Sequence, residues 1–175
     1  MTERRLRYDL DRKSEFLHPF DIKEKYSSLK DRLAYYLLLQ VHTFMKTSGL
    51  NGLPKAMEQL VEKAANINAR EARQYSQEKR PEFLGSELAK HMGETFSSDY
   101  HVEKEKDNFK VVLDRCGCIE SIIEHSKEFS FSENESKAIF CGSCMGGYKG
   151  ASEKIGLKFD GSLSRKGCYM HFKIS

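Results

Sequence analysis

The residues that could do chemistry in this chain lie almost entirely after position 114. Cys116-Gly117-Cys118, Cys141-Gly142-Ser143-Cys144 and Cys168-Tyr169-Met170-His171 carry all five cysteines on three separate stretches. Thiolates are good ligands for soft and borderline metals, so a C-x-C, a C-x-x-C and a lone cysteine that converge would make a zinc site or an iron–sulfur cluster. Five thiols exceed four ligand places. The candidate metal ligands are therefore one or both of Cys116 and Cys118, one or both of Cys141 and Cys144, and Cys168. The bland alternative is a set of buried or redox-active thiols, because free cysteine is a small hydrophobe in many cores.

A nucleophilic reading uses the same residues. A cysteine at a helix start or beside a cation has a depressed pKa and acts as a thiolate. Cys116 follows Arg115, and Cys118 opens a predicted helix, which makes these two the candidate catalytic cysteines. His171 is a candidate general acid or base. It is not a companion ligand of Cys168: three positions apart on an unbulged strand, the two side chains point to opposite faces. Arg115 and Arg165 are candidates for holding a substrate carboxylate through paired hydrogen bonds.

The elements that must position these groups differ between the two halves. Leu29, Leu33, Leu37, Val41, Phe44 and Met45 recur at three- and four-residue spacing and predict an amphipathic helix. Pro54 opens a second helix through Met57, Leu60, Val61 and Ala65, and Phe83, Leu84, Leu88 and Met92 predict a third ending near Gly93. The period then changes. Phe109, Val111 and Leu113 alternate with polar residues after a turn at Lys106-Asp107-Asn108, with Tyr100 and Val102 on a partner strand. Ile119, Ile122 and Ile123 predict a short helix. Ser132 and Glu135 have the spacing of a capping box at the start of the next, which carries Cys141 and Cys144. Gly142, Gly146, Gly147 and Gly150 predict close backbone approach or a broken helix, and they match no phosphate-loop pattern. Phe159 to Ser164 and Cys168 to Ile174 predict a final strand pair around Arg165-Lys166-Gly167.

The expectation is thus an α+β fold: N-terminal helices packed with a C-terminal antiparallel sheet and a glycine-rich helix. At 175 residues it is expected to be one domain, with a helical half over about 22–93 and a cysteine-rich half over about 99–175. The 29 basic and 26 acidic residues leave a net charge of +3, too little for a dedicated nucleic-acid binder. Met1 to Glu15 mixes charges of both signs and reads as no signal peptide, and Leu33 to Val41 is too short to span a membrane. A cytoplasmic location, where thiols stay reduced, is expected. The same apolar run would serve a homo-oligomer interface as well as a core.

From Asp99 to Ser175 the order of Arg115-Cys116-Gly117-Cys118, Cys141-Gly142-Ser143-Cys144, Gly156-Leu157-Lys158-Phe159 and Cys168-Tyr169-Met170-His171-Phe172 resembles the L-2-amino-thiazoline-4-carboxylic acid hydrolase-like family. It is more distantly similar to the 4-vinyl reductase small-molecule-binding domain. The resemblance implies an α+β fold with a ligand pocket between helices and an antiparallel sheet, and cysteines near it. The chain departs from the family pattern in the final strand, where the thiol sits at Cys168 rather than beside the aromatic Phe172. It is also richer in cysteine. The expected function is a small-molecule enzyme, hydrolytic on a C=N or amide bond, with a thiolate or metal centre. The alternatives are a non-catalytic small-molecule or metal sensor and an iron–sulfur redox protein.

Overall fold

The computed structural model describes residues 29–49 and 52–175. The readings made for Met1 to Glu15, for helix over 22–28 and for Asn51 lie outside the described residues. Helix α1 spans Leu29–Ser48 and buries Ala34, Tyr35 and Leu38 on one stripe. Helix α2, Leu53–Ala72, has its proline in the first turn, where no intrahelical amide is needed, and buries Ala65, Ala69 and Ala72. Helix α3, Arg80–Phe96, runs one turn past the expected stop at Gly93 and closes on Ser97, whose φ is 52°. Gly93 is internal because the Tyr100 ring lies over it: an added Cβ would meet that ring at 2.6 Å.

The hairpin follows as β1, Asp99–Glu105, and β2, Asn108–Arg115. Helix α4 covers Gly117–Ser126, and the short α5 covers Glu133–Ser136. The capping box is formed: Glu135 N donates to Ser132 Oγ at 3.2 Å, and Ser132 N donates to Glu135 Oε2 at 2.8 Å. A π-helical turn over Lys137–Cys141 joins α5 to α6, Gly142–Lys154. Strands β3, Leu157–Leu163, and β4, Cys168–Ile174, complete a four-stranded antiparallel sheet in the order β1-β2-β4-β3. The fold is α+β, as the change of hydrophobic period predicts.

One face of the sheet is covered by helices. Phe109, Val111 and Leu113 of β2 and Cys168, Met170 and Phe172 of β4 are buried on that face, and they share a core with Leu38, Leu84, Leu88 and Ile122 from the helices. Both halves of the chain therefore contribute to one core. The glycines of α6 serve close packing on α2: an added Cβ at Gly146 would meet Val61 at 3.1 Å, and one at Gly150 would meet Ala65 at 3.0 Å. Without side chains there, the two backbones approach at a distance other residues forbid. No described helix is long and apolar enough to cross a membrane.

Candidate functional site

Two glycines place the cysteines. Gly117 sits so tightly under the end of α3 that an added Cβ would fall on the carbonyl oxygen of Phe96, and its amide donates to Ser98 Oγ at 3.0 Å. Gly167 packs as closely on the carbonyl oxygen of Leu113. Between them, the Cys116 amide donates to Lys166 O at 2.9 Å, and Leu113 pairs with Cys168 across the sheet. Cys116, just before α4, and Cys168, at the start of β4, are thereby drawn to one end of the sheet. Cys118 lies in the first turn of α4. Cys141 ends the π-helical turn and Cys144 stands three residues on, with Ser143 Oγ donating to Ile139 O at 2.5 Å between them.

All five cysteines line one cavity of about 440 Å³ between the helices and the sheet. Its other walls are largely apolar, from Leu37, Val41 and Phe44 of α1 to Met57 and Leu60 of α2. Among the described residues no Asp, Glu, Lys or Arg lines it; Gln40, His91 and Ser143 are the polar side chains there apart from the thiols. Burial in such surroundings disfavours the charged form of every thiol. It raises Cys116 and Cys118, and lifts Cys141 to about 11 and Cys144 and Cys168 to about 12. The neighbouring sulfurs add to this for the last four. For Cys116 the amides of Ile119 and Cys118 oppose the burial without reversing it.

The depressed pKa expected from Arg115 and a helix start is therefore not what the fold produces. Arg115 is turned to other partners: Nε donates to Asp99 at 2.6 Å, Nη1 to Glu120 at 2.6 Å and Nη2 to the Ser97 carbonyl at 2.5 Å. Those carboxylates raise the Arg115 pKa, and they occupy the fork that a substrate carboxylate would need. Arg165 is exposed in the β3–β4 turn, outside the cavity, and its carbonyl accepts from Lys137 Nζ at 3.3 Å. His171 is on the opposite face of β4 from Cys168, as the strand register predicts, with Nε2 2.9 Å from Asn108 Oδ1. Burial, then Lys173 and Lys110, lower its pKa. The structure thus brings the five cysteines together and leaves His171, Arg115 and Arg165 apart from them.

The thiols are close without forming a tight knot. In a tetrahedral zinc site, bonds of about 2.3 Å place the sulfurs roughly 3.8 Å apart. No three cysteine sulfurs lie within 4.8 Å of one another; among the described residues only Asp31, Glu124 and His125 bring three such ligand atoms so near. Electrostatically, Cys116, Cys141 and Cys144 act on one another and on Cys118 and Cys168.

Sequence reasoning passed over the Asp31 group, since ninety residues separate its parts. It joins α1 to α4: Ser121 Oγ donates to Asp31 Oδ1 at 2.9 Å, and His125 Nε2 lies 3.8 Å from the same oxygen. The apolar wall from α1 and α2 was equally hidden, because a cavity lining and a packed core share one periodicity. No protein-family model matches the chain, and no curated protein matches its sequence.

Proposed function

We propose that this protein holds an iron–sulfur cluster in the five-cysteine cavity and works as a redox or ligand-sensing protein. The observation that carries the reading is the convergence of five thiols from three segments on one cavity whose described lining is largely apolar, spaced wider than a single tetrahedral ion requires. A cluster spreads its metal ions among its ligands and so tolerates that spacing. Cys116, Cys141 and Cys144 would be common to any ligand set, with Cys118 or Cys168 as the fourth. Burial keeps these thiols neutral without a metal, so binding would have to release their protons and its strength would rise with pH. When bound, the cluster would supply one-electron chemistry; the chain's part is to desolvate it and to direct the amides of Cys118 and Ile119 at the Cys116 sulfur.

The resemblance to the thiazoline hydrolase-like family supports a second reading, hydrolysis of a C=N or amide bond at a metal-activated water in the same cavity. A metal-free thiolate nucleophile has less support, since burial raises every thiol and the one cation among the described residues that lowers any of them, Lys137 on Cys141, does not reverse it. Anaerobic purification with iron and sulfide analysis and a visible spectrum tests the proposal. Brown protein with iron and sulfide, lost in Cys116→Ser and Cys144→Ser, is expected. Colourless protein that takes up one zinc, or metal-free protein that turns over a thiazoline, would overturn it.

A further inference from the structure

We infer that the helical end of the cysteine cavity binds a neutral, mainly apolar small molecule and rejects carboxylates. This names the ligand class of the site just described, and rests on that reading only for the neighbour the ligand meets. The apolar wall itself is built by α1 and α2, which carry no cysteine. The whole cavity, thiol end included, measures about 440 Å³, within the range of small-molecule pockets, and the ligand takes the part of it beyond the thiols. Leu37, Val41, Phe44 and Met57 offer such a molecule only carbon and sulfur surface.

A carboxylate moved there would lose water and meet no Lys or Arg among the described residues. Arg115 is already shared between Asp99 and Glu120. An unpaired buried carboxylate costs far more than a hydrogen-bonding group that retains a partner. One neutral polar group can be met: the Ser143 hydroxyl proton is spent on Ile139 O, which leaves its oxygen to accept. His91 and Gln40 are exposed and add polar groups to the lining. The ligand class is thus an uncharged, mainly apolar body with a donor for the Ser143 oxygen, opposite in charge character to an amino-acid-like substrate.

The test is calorimetric titration of the full chain with 2-naphthol and with 2-naphthoate at neutral pH, iron being measured in the same samples. The neutral probe is expected to bind at least about 100-fold more tightly than the acid. Ala56→Phe, which fills the apolar end, should weaken 2-naphthol at least about tenfold with the iron content unchanged. Met57→Arg, which supplies the missing cation, should narrow the preference for the neutral probe about tenfold or more. Equal binding of both probes, or no binding of either to the wild-type protein, overturns the inference. Iron-free protein that prefers 2-naphthol overturns the cluster and leaves the ligand class standing; brown protein that binds neither probe does the reverse.

Discussion

The two faces of the sheet carry side chains of similar reactivity, and their surroundings make them different. On the outer face His101 Nδ1 lies 2.8 Å from Asp114, Lys110 Nζ lies 3.1 Å from Glu103, Tyr169 donates to Asp160 at 3.2 Å, and His171 meets Asn108. Each charge there is answered by a neighbour and by water, and such exposed pairs contribute little. On the inner face Cys168, one strand position from Tyr169, points into a cavity with four other thiols and no charged side chain among the described lining. What favours charge there, the amides at Cys116 and Lys137 near Cys141, is outweighed by burial. Chemistry on this fold thus follows access to a shared, desolvated space, more than the residue types themselves.

Breaking the construction of the inner face should have the largest effect. Gly117→Ala or Gly167→Ala drives a methyl into a carbonyl oxygen and should cost about 3 kcal/mol or more in urea unfolding, since backbone must move on both sides. Gly142→Ala, with nothing within 4 Å of the added atom, should stabilise the helix by up to about 1 kcal/mol. If all three variants unfold alike, close backbone approach is not what places the thiols. Next in size, Cys116→Ser should lower bound iron at least about tenfold, whereas His171→Gln should keep it at the wild-type level.

A third comparison uses pH. The folded thiols titrate higher than unfolded ones, which ionise near pH 8.5. Below that pH both states bind the proton; above it the unfolded chain releases protons that the folded chain keeps. Stability of the metal-free protein should therefore be complete below about pH 8.5 and be lost progressively as pH rises through 11 to 12, by up to ~1.4 kcal/mol per pH unit for each buried thiol. Thermal unfolding at stepped pH checks this, and Cys144→Ser should flatten the slope. The smallest effects belong outside: Arg165→Ala and His171→Gln should each change unfolding free energy by less than about 0.5 kcal/mol.

Much of this division was legible before any coordinates. Period-two alternation in Phe109 to Leu113 and Cys168 to Ile174 predicted the strands, and with them the separation of Cys168 from His171. Ser132 and Glu135 announced their helix because a capping box is a purely local device. What escaped were relations across the fold. Arg115 beside Cys116 reads as an activating cation until Asp99, sixteen residues earlier, draws it away. Helix initiation at Cys118 reads as acidifying until burial outweighs it. Glycines at 142–150 announced a close approach, yet not that its partner would be Val61 and Ala65.

The π-helical turn at Lys137–Cys141 has a consequence for the phase of everything after it. A π-turn holds one residue more than the α-helix it interrupts, and each residue advances a helix by about 100°. The capping box is therefore set about 100° out of step with the glycine ridge and Cys144. Deleting Ala138 would restore an unbroken helix, but it would rotate Gly146, Gly150 and both thiols together around the axis. The spare residue works as a clocking washer: one turn of backbone times the α2 interface and the cysteine cavity to the same angle.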